Sequence, residues 1–320
     1  MEEKHQKTAL LHYWGNTPEE DFYTQQGINS TNSYYTSPRG QTLFTRSWQP
    51  LQTPPRALIF MVHGYGNDIS WAFQSTPIFL AQQGFACFAL DLPGHGHSHG
   101  LKAFVPNVDD VVDDFIFFFN SIKQLPQFQN LPTFLYGESM GGAICLLIHL
   151  KKPNDFLGAV LIAPMCKISD NLRPRWPIPQ ILIFLGKFFP TLPIVLTADL
   201  LEKSIKVPEK KVIAGMNPMR YGGKPRLGTV IELLRVTDHL SQRLKDVSLP
   251  FIVLHGSADV VTDPNVSREL YEEAKSEDKT LKIYDGMLHS LQFGETDENV
   301  EIVRRDILAW LNDRCRGETQ

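Results

Sequence analysis

Two stretches of the chain have the spacing that holds a nucleophilic serine: Gly96-His97-Ser98-His99-Gly100 and Gly137-Glu138-Ser139-Met140-Gly141. A serine raised on a sharp strand-to-helix turn needs a buried strand running in, a helix running out, and small residues two positions to either side, because the turn is strained. Thr133-Phe134-Leu135-Tyr136 leads into Ser139, and Gly142 and Ala143 let the apolar run that follows come close to a sheet. Ser98 is followed by a stretch with Pro106 and no immediate helix. Ser139 is therefore the expected nucleophile, and Ser98 reads as a structural serine in a tight turn.

A serine hydroxyl becomes nucleophilic only when a base takes its proton and a carboxylate orients that base. Folds built around this elbow supply the groups in the order serine, acid, histidine. Past Ser139, the apolar run Phe251-Ile252-Val253-Leu254 ends in His255-Gly256-Ser257-Ala258-Asp259, which puts Asp259 at the carboxyl end of a strand. After the next strand pattern, the loop Asp285-Gly286-Met287-Leu288-His289 puts His289 at the same edge. Asp263, beside Pro264, is the rival acid and reads as a helix cap. His255 lies within a strand and reads as a satisfied core histidine. The developing oxyanion needs backbone N–H donors, expected from Met140, which follows the nucleophile, and from Tyr65 in His63-Gly64-Tyr65-Gly66. His63 to Asp68 also matches an H-x-x-x-x-D acyltransferase pattern, but an oxyanion loop accounts better for its position. His95, His97 and His99 alternate with small residues, yet no second cluster completes a tetrahedral site, so no metal is expected.

These side chains need a sheet whose strands end at one edge. Short apolar runs at 57–62, 85–90, 133–136, 159–162, 251–254 and 281–284 alternate with amphipathic segments at 69–82, 108–122, 140–150, 266–275 and 299–314. That alternation predicts an α/β fold with a mostly parallel sheet covered by helices. Runs at 32–36 and 42–48 flank Ser37-Pro38-Arg39-Gly40 and predict an edge hairpin. The alternation breaks over 165–247, where prolines and a strongly apolar run give way to helical patterns without a strand. The expected organisation is an N-terminal extension over 1–30, a core over 31–164 and 248–316, and a helical cap inserted at 165–247.

Composition sets the bounds. The 320 residues carry a formal charge of −4, with 42% hydrophobic and 21% charged residues, which excludes a disordered chain and a basic nucleic-acid-coating protein. The four cysteines form no C-x-x-C pair and point to a reducing compartment. Residues 1–10 lack the apolar stretch of a secretory signal, and residues 316–320 are no prenylation box. In the apolar region 176–201, prolines leave only 180–189 uninterrupted, too short for the ~20 residues that a membrane-spanning helix needs. A cytoplasmic protein, peripheral on membranes at most, is expected.

Taken together, HGYGNDISW, DLPGHGHSHG, FLYGESMGGA, HGSADVVTDP and KTLKIYDGMLHSL resemble the plant-type monoacylglycerol lipases of the α/β-hydrolase superfamily, a branch that includes caffeoylshikimate esterase. The resemblance runs from about Trp14 to about Asp313 and implies Ser139, Asp259 and His289 as a catalytic triad, Tyr65 and Met140 as oxyanion donors, and 165–247 as the cap. It implies a serine carboxylester hydrolase acting on monoacylglycerols without a cofactor. A phenolic esterase of the caffeoylshikimate type and a lysophospholipase are the alternatives among enzymes, and a hydrolase-fold small-molecule receptor is the alternative outside them. Phe184, Leu185, Phe188, Phe189 and Leu192 are expected to meet an acyl chain, or a membrane or lipid-droplet surface, unless they pack as core.

Overall fold

Six-residue runs without a charged side chain become the central strands, because a strand covered on both faces can bury every side chain it carries. In the computed structural model, which describes residues 10–168, 176–194 and 199–315, Ala57–Val62 and Phe85–Leu90 are buried at every position. The termini read above for targeting signals, 1–9 and 316–320, lie outside the described residues, as do 169–175 and 195–198 of the proline-rich block.

The described chain opens with helix α1 (Glu19–Gln25) and the hairpin of β1 (Ile28–Thr36) and β2 (Thr42–Pro50). Strands and helices then alternate as β3 (Ala57–Val62), α2 (Ser75–Gln82), β4 (Phe85–Leu90), α3 (Val108–Lys123), β5 (Thr133–Glu138), α4 (Met140–Lys151) and β6 (Gly158–Ile162). Next come four helices, α5 (Ile178–Gly186), α6 (Leu200–Ser204), α7 (Pro208–Gly215) and α8 (Leu227–Ser241). The alternation resumes with β7 (Phe251–Gly256), α9 (Pro264–Glu273), β8 (Lys279–Tyr284) and α10 (Asp297–Cys315).

Among the described residues, the sheet has eight strands in the order β1-β2-β4-β3-β5-β6-β7-β8. The β1–β2 and β2–β4 pairs are antiparallel and all the others parallel, which is the expected α/β-hydrolase sheet with its hairpin at one edge. From β3 the chain steps to β4 on one side and to β5 on the other, so the order reverses at β3, the place where open parallel sheets form ligand clefts. Register aligns the carboxyl ends there: Val62 pairs with Gly137, and Glu138 with Ile162. One apolar layer joins the sheet to α3, α4, α8 and α9, and the other joins it to α1, α2 and α10.

Two expectations change. The helix expected over 69–82 begins only at Ser75, after a single 3-10 turn over Ala72–Gln74. The Ile69 and Ser70 N–H groups donate to the carboxylates of Asp91 (2.8 Å) and Asp68 (2.7 Å), and Trp71 is non-helical at φ −121°, ψ −131°. The two carboxylates anchor Ile69 and Ser70, and the non-helical backbone at Trp71 keeps the helix from reaching back to them. The first strand of the hairpin starts earlier than expected, at Ile28, because its polar residues face solvent along an edge where apolar alternation is absent. None of the described helices is long and apolar enough to cross a membrane.

Candidate active site

Ser139 stands directly after β5 with φ 53° and ψ −116°, a conformation that side chains rarely adopt. Close packing imposes it. A Cβ on Gly141 would come 2.1 Å from the Val62 carbonyl oxygen, and one on Gly137 would come 2.5 Å from the Gly141 carbonyl oxygen. Only glycine fits at either place, and α4 is thereby drawn down onto β3. The Ser139 N–H donates to the Ile162 carbonyl at 2.9 Å, while its carbonyl accepts from Gly142 and Met165, each at 3.0 Å. Its backbone holds the turn, and its hydroxyl does not cap α4.

Met140 is the first residue of α4, so its N–H has no acceptor within the helix. The loop after β3 reaches the same place, with the Gly64 backbone so near Ser139 that a Cβ there would lie 3.4 Å from the Cβ of Ser139. Tyr65 follows, and its phenol donates to the Ala103 carbonyl at 3.1 Å. His63 pins this loop: its Nε2 accepts from the Leu92 N–H at 3.0 Å and its Nδ1 pairs with the Gly64 carbonyl at 2.8 Å. Burial pushes that imidazole down to about 3, so it stays neutral and its one lone pair is already used. Asp68, the other end of the acyltransferase-like pattern, is buried and holds the Ser70 N–H and the Asn217 amide. The pattern is thus a structural brace.

At the edge formed by β7 and β8, His289 Nδ1 lies 2.6 Å from Asp259 Oδ2. The other oxygen, Oδ1, accepts from the Val261 N–H at 2.7 Å and the Thr262 N–H at 3.1 Å. Burial alone would push the Asp259 carboxyl up, but hydrogen bonds from His255 and His289 hold it well below the usual carboxylate range. Glu138, next to Ser139, is electrostatically coupled to His289: burial raises its carboxyl, opposed by a 2.6 Å hydrogen bond from Tyr136 and by the pull of His289. The His289 loop is braced by the buried Glu295, which accepts from the Leu288 N–H at 2.7 Å, and by the α6–α7 segment through Ser290 N–H to Ser204 O (3.0 Å) and Lys206 N–H to Gly294 O (2.9 Å).

The rival residues are occupied elsewhere. The Ser98 hydroxyl donates to the Asp91 carbonyl at 2.6 Å and accepts from the Phe44 N–H at 2.8 Å. Asp263 caps α9 by accepting from the Asn265 N–H. His95 stacks edge-on to Tyr65, His97 packs on Phe44, and His99 lies beside Tyr34, so the histidine tract faces three ways. Of the residues expected to meet acyl chain or lipid, Phe184, Phe188, Phe189 and Leu192 are exposed and Leu185 is half-buried. Phe184 and Phe188 meet edge to face at 5.5 Å.

Sequence reasoning missed two neighbours of the acid. Thr262 Oγ1 lies 2.9 Å from Asp259 Oδ2, and His255 Nε2 reaches the same oxygen at 3.0 Å. The available signal was the four-residue step from His255 to Asp259 at the end of a buried strand, where the chain turns back on itself.

The family described as serine aminopeptidase, S33, matches residues 53–297. Over 308 residues the chain is 40% identical to the caffeoylshikimate esterase of Arabidopsis thaliana, which covers 95% of this chain and 92% of that protein. It is 33% identical to the monoglyceride lipase of Homo sapiens over 279 residues, 86% of this chain and 88% of that protein. A soluble variant of the Saccharomyces cerevisiae monoglyceride lipase, solved with a substrate analog, matches the fold with a TM-score of 0.76 at 24% identity, covering 88% of this chain and 94% of that one. The strained serine turn, the acid–histidine pair at the same sheet edge and these matches together place the chain in the serine aminopeptidase S33 family of α/β-hydrolases, as a carboxylester hydrolase.

Proposed function

We propose that this enzyme hydrolyses monoacylglycerols to fatty acid and glycerol through an acyl-enzyme formed on Ser139. His289 takes the proton of the Ser139 hydroxyl as its oxygen attacks the ester carbonyl. Asp259 stabilises the imidazolium, and the Tyr65 and Met140 N–H groups hold the oxyanion. His289 then gives the proton to the departing glycerol oxygen, and a water molecule repeats the sequence on the acyl group. Every step uses groups of the chain and water. The observation that carries the reading is the 2.6 Å pair of His289 and Asp259 at the edge where the strained Ser139 turn stands.

The lipid substrate rests on the relatives named as monoglyceride lipases and on α5. That helix buries none of its side chains, although covering a large apolar side chain is worth ~1.5–3 kcal/mol. The reading gives the 165–247 segment the role of a cap and gives the outer face of α5, with Phe188 and Phe189 beyond it, the task of meeting a membrane or lipid-droplet surface. The protein would then be cytoplasmic and peripheral on lipid, in keeping with its buried free thiols at Cys87, Cys145 and Cys166.

The 40% identity to a caffeoylshikimate esterase favours a second reading, hydrolysis of a phenolic ester by the same residues. A panel of monoacylglycerols, lysophospholipids and caffeoyl esters, run with Ser139→Ala as control, separates the two. Monoacylglycerols should give the highest kcat/KM; a caffeoyl ester that outpaces them would overturn the lipid reading while leaving the machinery intact. Absence of hydrolysis and of fluorophosphonate labelling would favour a receptor.

A further inference from the structure

His255 is fully buried at the end of β7, and the acyl-transfer steps above do not use it. Its Nε2 faces two groups that only accept, Asp259 Oδ2 at 3.0 Å and the Thr262 carbonyl at 3.1 Å, while the Thr262 hydroxyl, 3.3 Å away, gives its own proton to Asp259, so the proton of the ring sits on Nε2. Nδ1 then accepts from the hydroxyl of Ser267, which is fully buried on α9, at 2.7 Å. Two imidazoles thus donate to one carboxylate oxygen, His289 from the cleft side at 2.6 Å and His255 from the core side at 3.0 Å.

We propose that His255 is a positioning residue that shares the Asp259 carboxylate with His289 and so sets how basic His289 is. The inference rests on the triad reading. An N–H donated to a carboxylate is a charge-assisted bond and draws negative charge toward itself. Because both rings and the Thr262 hydroxyl use Oδ2, the charge offered to His289 is what His255 and Thr262 leave. His255 also fixes the carboxylate rotamer, with Ser267 tying the ring to α9. The titratable and charged groups around the pair are Asp259 between the rings, Glu138 at the end of β5, which is coupled to His289, Tyr136 bonded to Glu138, and Glu295 with Lys206 on the His289 loop.

The test is the pH profile of kcat/KM on a short soluble ester for the wild type, His255→Leu and His255→Gln. Loss of the donor in His255→Leu concentrates charge toward His289, so the acid limb should move up by about half a pH unit or more. Its kcat should fall about tenfold, the worth of one charge-assisted bond. His255→Gln keeps an N–H that reaches Asp259 and should restore both toward the wild type. A folded His255→Leu with the wild-type limb, or equal losses in both variants without a shift, would make His255 ordinary core and overturn the proposal. If His255→Leu does not fold, Ser267→Ala removes the hydroxyl that ties the ring to α9, and the proton resonance of His289 Nδ1–H should move; an unmoved resonance overturns the proposal equally. Fluorophosphonate labelling that survives in His289→Ala would instead bring down the triad reading itself.

Discussion

Ser98 gives its hydroxyl proton to the Asp91 carbonyl at 2.6 Å, and that bond separates the two G-x-S-x-G stretches. With the Phe44 N–H at 2.8 Å on the same oxygen, the Ser98 hydroxyl ties the loop after β4 to β2. Ser98→Ala strands a buried N–H, which should cost about 1–3 kcal/mol of stability and leave fluorophosphonate labelling in place. Ser139→Ala should abolish labelling and hydrolysis with little change in melting temperature. Labelling lost in Ser98→Ala alone would reverse the assignment.

The acid limb of kcat/KM should follow a single proton. His289 must be neutral to accept the Ser139 proton, whereas Asp259, held well below the usual carboxylate range, stays ionised through the whole assay window. Its depressed value also contributes stability that is present above its unfolded pKa, ~3.9, and fades as pH falls toward its folded value. A limb that steepens to two protons, or one that persists in His289→Ala with the rate retained, contradicts this arrangement.

Acid should also destabilise the protein through histidines remote from proton transfer. Burial pushes His95 down to about 4, while the unfolded chain takes up its proton near ~6.5. Between those values the unfolded state binds more protons, so stability falls with pH. For His95 the loss between pH 7 and pH 5 comes to about 2 kcal/mol. Denaturant midpoints at the two pH values should differ less in His95→Gln than in the wild type by about that amount. An equal pH dependence would show that His95 titrates normally in the fold.

Phe188 and Phe189 are 63% and 52% exposed, so replacing both by serine removes little packing. The double variant should keep its melting temperature and its rate on a short soluble ester. The vesicle partition constant should drop about a hundredfold or more, and long-chain monoacylglycerol hydrolysis with it, because each side chain loses ~1.5–3 kcal/mol of transfer to lipid. Equal losses on both substrates with a lowered melting temperature would mark the two rings as structural.

Periodicity and local sterics made the sheet, the Ser139 turn and the order of serine, acid and histidine legible in the sequence, because they depend on neighbours a few residues apart. The apolar strand runs and the glycines at 137 and 141 belong to this group, as does the amphipathic pattern over 299–314 that becomes α10. What each polar side chain does was settled by groups far along the chain. Asp91, on the loop after β4, fixes the backbone at Ile69 ahead of α2. His63 gives its lone pair to the Leu92 N–H, and Asp259 meets His289, thirty residues on, because β7 and β8 end at one edge. The apolar run at 180–189 could equally have been core, and only the way α5 packs on α8 through Gly186 and Ile231 left its phenylalanine side in water. A hydrogen bond or a buried face needs a partner in space, and spatial neighbours in a parallel sheet come from segments that the sequence holds tens of residues apart.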